Sequence, residues 1–336
     1  MNEQNPEAAP VEQSAPSAPY KDRSIGLTIF GILTIIMGCF VALFIPLGIY
    51  GQATAARTGQ VPFNSHMVLS IVGIYGTLAV ALVWLGIGSI MARRWARALL
   101  SIFSWAWLLM GVGGCFFIVF LMPKILANAA LASNSTSPVM PVAAIDAVMF
   151  FVFGIIFVIP SIIWIIFYRS WHVKATCEAR NPVPSWTDGC PLPVLCASLW
   201  LAVCVPMMLL MPLMGHVVMP FFGTFLTGVL GEVLCLGIAA IWCYAAWGLY
   251  KLQRWAWWLT FVALFVWIVS ALMTFARHDT VEMERLQGLP NAQIQQMQQS
   301  GFMNGEHMMW MMLFSTLLIY GYLIFIERYL KRQPEQ

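Results

Sequence analysis

The chain has 336 residues, 60% of them apolar and 9% charged, with a formal net charge of +3. Composition this apolar excludes a water-soluble globular domain, whose surface needs far more charge, and makes lipid the solvent for most of the molecule. A net charge this small carries no signature of nucleic-acid binding, and the position of each charge matters more than the sum.

The chain begins with residues 1–20, rich in Pro, Ala, Glu, Gln and Ser. Such a segment cannot bury apolar surface, so residues 1–24 are expected to form a disordered tail. The tail is acidic (Glu3, Glu7, Glu12), unlike the basic start of a signal peptide. A bilayer core takes about 20 apolar residues in helical form. Eight runs qualify, at approximately 25–50, 67–91, 96–122, 145–168, 192–214, 221–250, 255–275 and 309–326. Backbone amides in lipid have no water to bond, and runs without alternation satisfy them as helices. The expected fold is all-α, a polytopic membrane protein of eight transmembrane helices.

A stretch at the end of the second run recurs at the end of the sixth. Gly88, Arg94, Trp95, Ala96 and Arg97 return as Gly248, Arg254, Trp255, Ala256 and Trp257, an offset of 160 residues. The ends of the fourth and eighth runs also match, Tyr168-Arg169 against Glu327-Arg328, and Pro46 of the first run matches Pro212 of the fifth. The chain therefore reads as two repeated four-helix halves, 25–170 and 192–330, joined by a linker at 171–191 and followed by a tail at 331–336. Four helices per half is an even number, so both halves have one orientation and a pseudo-twofold axis along the membrane normal is expected.

With the N-terminus placed inside, 13 of the 17 Lys and Arg residues fall on the inner side; only Arg57, Lys124, Arg277 and Arg285 fall outside. That bias puts both termini in the cytoplasm. The break between helices resembles a turn in several uncharacterised bacterial multi-pass membrane protein families, where a glycine-containing helix ends in a basic Arg-x-Trp-Ala-Arg turn. Arg94, Trp95, Ala96 and Arg97 keep the full form, and the second copy departs with Trp257 in the last place. The resemblance implies a location in the bacterial inner membrane and no known activity.

Few residues are candidates for function. Arg94, Trp95, Arg97, Arg254 and Trp255 are candidate interface anchors at the headgroups, where Arg and Trp bridge water and lipid. Glu232, in an otherwise uncharged run, is the candidate functional carboxylate. At the edge of a small-residue stripe formed by Thr224, Thr227, Gly228, Gly231 and Cys235, it is expected to face protein, with desolvation disfavouring its charge. Asp146 and Glu306 start the fourth helix of each half, where the helix dipole favours negative charge. Pro46 and Pro212, near the outer ends of matching helices, are a pointer to a transporter site or simple terminal bends. Met208, Met211, Met214, His216, Met219, Met303, His307, Met308, Met311 and Met312 crowd one side of the second half; thioether and imidazole suit Cu(I), but methionine is also a general apolar filler. His172, Cys177 and Cys190 share the linker at a spacing that fits no standard zinc site, so free thiols are expected. The loop at 276–308 is expected to carry short helices near 281–287 and 291–299, with Met283, Leu286, Ile294 and Met297 turned towards the membrane or bundle. Asn134 opens a formal glycosylation triplet.

The chain contains no hydrolase, metalloprotease or phosphate-loop motif, no evident cofactor site, and loops too short for a catalytic domain. The expected role is non-catalytic: a structural or accessory membrane component in contact with lipid and with a membrane-protein partner or a second copy, and not with nucleic acid. The alternative is a transporter or channel for an ion, a small solute or a hydrophobic molecule.

Overall fold

The computed structural model describes residues 20–58, 65–120, 122–123, 142–214, 217–288, 294–295 and 305–330. The first tail to residue 19, Asn134, His216, Met297, Met303 and the 331–336 tail lie outside them, as do the side chains of Asp146, Met214, Glu306, His307, Met308 and Met311.

Among the described residues, eight helices are long and apolar enough to cross a membrane. The first four spans are α1 (Ser24–Arg57), α2 (Ser65–Ile90), α3 (Arg94–Phe120), and α4 (Val142–Phe153) continued by α5 (Ile159–Arg169). α4 and α5 are one span joined by a π turn at Gly154–Val158. Its cause is Pro160: without an N–H, proline cannot bond the preceding turn, and a widened turn absorbs the mismatch. α6 (Trp171–Arg180) and a 3-10 turn (Trp186–Gly189) form the linker. The last four spans are α7 (Leu192–Met214), α8 (Gly228–Tyr250), α9 (Arg254–Phe275) and α11 (Gly305–Leu330), with a short helix α10 (Thr280–Leu286) before the last.

Two elements differ from the sequence reading. α1 does not stop near Tyr50 but runs to Arg57, because the Ala-rich segment after Tyr50 keeps helical propensity and Thr54 returns its hydroxyl to the Tyr50 carbonyl. Pro46 therefore lies inside α1, whereas Pro212 sits two residues before the end of α7. The run at 221–250 is not one helix. Met219–Phe221 and Thr224–Leu226 form an antiparallel hairpin, β1 and β2, and α8 starts only at Gly228. Phe222 and Gly223 both have positive φ, 43° and 94°, as a two-residue type I′ hairpin turn requires. Thr224 and Thr227 thus leave the proposed helical stripe; Gly228, Gly231 and Cys235 keep it.

Small residues set the helix spacing. α1 and α2 cross where Gly31 meets Gly86: a Cβ on either glycine would stand 2.7 Å from the other's carbonyl oxygen. Gly38 approaches the Ala79 carbonyl in the same way. With lipid outside, such close backbone contact is what drives helices together. In the last four spans Cys235 of α8 reaches the Met208 carbonyl of α7, and the Ser198 hydroxyl donates to the Ala246 carbonyl. The first and last four spans meet where α2 and α3 contact α7, and Ile102 of α3 packs against a core formed by α7, α8, α9 and α11. This contact is one-sided; a reciprocal contact of α1 with α8 is not among the substantial contacts of the described residues. Outward faces of the spans carry exposed large apolar side chains such as Ile36, Phe40, Leu109, Ile166, Val229 and Phe265.

Candidate functional site

The two Arg-Trp-Ala turns are built alike. α2 ends with the Arg93 amide donating to the Gly88 carbonyl and the Ala92 amide to Ser89; α8 ends with Gln253 donating to Gly248 and Leu252 to Leu249. These are the paired bonds of a Schellman cap, and the residue that must be left-handed is non-glycine in both, Ala92 at φ 51° and Leu252 at φ 57°. A Cβ on Gly88 would stand 2.7 Å from Ala96 Cβ, and one on Gly248 would stand 2.5 Å from Ala256 Cβ. Each tryptophan folds back across that glycine. Trp95 stacks on Trp84 at 4.2 Å and 22°, and Trp255 stacks on Tyr244 at 4.3 Å and 26°.

The arginines differ. Arg94 is held by the chain itself, with Nε 2.9 Å from Asp188 and Nη2 3.5 Å from Glu178. Asn181 adds a second tie: its amide donates to the Met91 and Ala92 carbonyls left over at the end of α2, and its oxygen accepts from Arg93. The linker reaches the second turn through the Tyr250 hydroxyl, which donates to the Trp186 carbonyl. Arg97 is half-buried over Cys177. Burial pushes the Cys177 thiol up to about 11, against the opposing pull of Arg97. Arg254 is exposed and forms no ion pair or hydrogen bond among the described residues. Trp257, in the place of Arg97, is buried and donates its indole N–H to the Leu323 carbonyl.

Glu232 lies in the second turn of α8, half-buried, away from both Arg-Trp-Ala turns. Its neighbour Gly231 is pressed against the hairpin: a Cβ there would meet the Leu226 and Val217 carbonyls at 2.8 and 2.9 Å. His172, Cys177 and Cys190 do not form a ligand set; His172 Nδ1 accepts from the Lys21 amide, and both cysteines are buried free thiols. Among the described residues no three His, Cys, Asp or Glu side chains are grouped to hold a metal ion. In the loop that follows α9, Ile294 is buried and Leu286 is exposed.

A polar device on the other side of the molecule has no counterpart in the sequence reading. Ser270, Thr274 and His278, each four residues apart on α9 and its extension, grip the backbone of the hairpin turn. Ser270 Oγ accepts from the Phe222 amide at 2.9 Å and donates to the Pro220 carbonyl at 3.1 Å. Thr274 accepts from the Gly223 amide at 3.0 Å. His278 Nε2 meets the Gly223 carbonyl at 3.1 Å, and its Nδ1 meets Glu282 at 2.8 Å. Both histidine partners, a carboxylate and a carbonyl oxygen, are acceptors. The clamp holds Phe222 in its unfavourable backbone region and leaves Phe221 and Phe222 exposed at the tip. Glu284 of α10 is buried, with Oε1 unpartnered among the described residues. The available signal was the four-residue spacing of hydroxyls and imidazole at the end of an apolar run.

No protein-family model matches the chain, and no curated protein or solved structure is significantly similar to it.

Proposed function

We propose that the chain is a non-catalytic component of a bacterial inner membrane, with cytoplasmic termini, built from a duplicated four-helix unit and acting as a structural or accessory protein. The observation that carries this reading is the apolar contact between its first and last four spans. Ile102 packs, partly buried, against the apolar core of α7, α8, α9 and α11, and the linker ties the contact down through Arg94–Asp188 and Tyr250–Trp186. A joint packed in this way favours a fixed scaffold over two bodies that rock about a central path. The duplication is supported by the matching Schellman bonds, left-handed residues, glycine contacts and aromatic stacks of the two turns. The same reading leaves lipid and a membrane-protein partner or second copy as contacts, and the thirteen-to-four bias of Lys and Arg supports the orientation.

One observation favours a transport reading. A shallow groove of about 500 Å³ runs along α2, lined by Val72, Gly73, Gly76, Thr77, Val80 and Trp84. Such a surface would suit an apolar solute or an acyl chain. Purified protein in proteoliposomes, assayed against ions, small solutes and apolar dyes, separates the two. The accessory reading predicts flux no greater than in protein-free vesicles. Reproducible flux that disappears in Glu232→Gln, or in Gly76→Leu, which fills the groove, overturns it.

A further inference from the structure

We propose that the second Arg-Trp-Ala turn binds the phosphate of an anionic lipid headgroup, through Arg254 and Lys251. The inference rests on the duplication argued above, because the first turn shows what such a turn accepts. There, the guanidinium of Arg94 takes two carboxylates from the linker, Asp188 at 2.9 Å and Glu178 at 3.5 Å, and its side chain is only 17% exposed. The second turn has the same caps, the same close glycine and the same aromatic stack. Yet Arg254 is exposed and meets no oxyanion of the described chain. The second turn has also gained a cation: Lys251 stands where the first turn has Met91. Lys251 is exposed, and its ammonium lies 5.9 Å from the centre of the Tyr250 ring. One copy of the turn thus supplies its own anion, and the other presents two cations without one among the described residues.

Position selects the ligand. α8 ends at Tyr250 and α9 starts at Arg254, and both are spans. Their connecting turn therefore stands at the headgroup layer, where long cationic side chains reach the phosphates. Tyr244, Trp247 and Trp258 are exposed on the same two helices next to the turn, so the surface leading from the cations into the bilayer is aromatic and apolar. A ligand that places an oxyanion on Arg254 and acyl chains along these rings is a phospholipid. The planar fork of arginine matches two phosphate oxygens at once, and an uncompensated lysine beside it selects a net negative headgroup over a zwitterionic one.

The test uses the full-length protein reconstituted in phosphatidylcholine, with spin-labelled phosphatidylglycerol or spin-labelled phosphatidylcholine as reporter. Motionally restricted signal gives the relative affinity of each lipid for the protein surface. The wild-type chain should prefer phosphatidylglycerol. The Lys251→Gln/Arg254→Gln double variant should lose that preference, by about fivefold per charge removed. Arg328→Gln is the control for general surface charge. Arg328 lies in the last turn of α11, but its guanidinium stacks on Phe325 at 3.6 Å and its Nε donates to the Phe325 carbonyl. This control should keep the preference. An unchanged preference in the double variant, no preference in the wild type, or an equal loss in Arg328→Gln overturns the proposal. Displacement of the labelled lipid by millimolar inorganic phosphate would assign the turn to a free anion and overturn it too. The duplication is tested apart from this, by the side of the membrane on which the two turns lie, so failure of one reading is distinguishable from failure of the other.

Discussion

Gly88 and Gly248 have no room for a side chain, since Ala96, Ala256 and the two tryptophan rings occupy the space within 3 Å. Gly248→Val should therefore force helix α9 away from α8 and cost about 1–3 kcal/mol, read as a lower midpoint of thermal unfolding in detergent. A wild-type midpoint would show that the turn yields without cost. Ala92 is a different case, because it is left-handed at φ 51° and buried. Ala92→Gly relieves the backbone while losing a methyl contact and should stay within about 1 kcal/mol of wild type. Ala92→Val adds apolar area but branches at Cβ in the left-handed region and should be the worse of the two by about 1–2 kcal/mol. The reverse order would contradict the assigned turn. Cys177 and Cys190 are buried, and burial pushes both thiols up to about 11. Thiolate is the reacting form, so neither should take up maleimide at neutral pH until the protein is denatured. Rapid labelling of the folded protein would contradict their burial. Residue identities were legible in part. The repeated Gly, Arg, Trp and Ala marked both turns, but the partners of Arg94 lie in the linker, distant along the chain, and no local pattern names them.

At the scale of elements, the spans follow from hydrophobic length alone, and their ends shift only where local chemistry intervenes. α1 extends past Tyr50 because alanine and threonine continue it, and α4 widens into a π turn because Pro160 withholds a donor. The hairpin at 219–226 is the largest departure. Its residues are as apolar as the helix they precede, so hydropathy merges the two; only Pro220 and Gly223 marked a break in local propensity. What stabilises it comes from elsewhere in the chain, the hydroxyls of Ser270 and Thr274 on α9. Removing the Thr274 hydroxyl leaves the buried Gly223 amide unpaired and should cost about 1–3 kcal/mol locally; removing that of Ser270 frees the part-buried Phe222 amide and should cost less, about 0.5–1.5 kcal/mol. Ser270→Ala should speed hydrogen exchange at Phe222, and Thr274→Val should speed it at Gly223, with α8 and α9 unaffected. Unchanged exchange at both amides would show that the hairpin stands without the clamp.

At the scale of the molecule, a chain whose described residues include eight helices of membrane length, with this surface, belongs in a bilayer, and composition was sufficient to say so. The packing between the first and last four spans was not legible, because contacts such as Ile102 against the second core depend on how whole helices approach. The candidate sites were legible only as expensive or repeated residues: Glu232 as a lone carboxylate, and the turns as duplicates. The duplicated architecture requires those turns to be two copies of one plan in one orientation. Single cysteines placed at Met91, Gln253 and Thr224 in a cysteine-free background, all at exposed positions, test this most directly with a membrane-impermeant maleimide. Thr224→Cys should label in intact cells, and Met91→Cys and Gln253→Cys only after the membrane is opened. Labelling of Met91→Cys and Gln253→Cys from opposite sides would place an odd number of spans between the two turns and contradict the duplicated architecture.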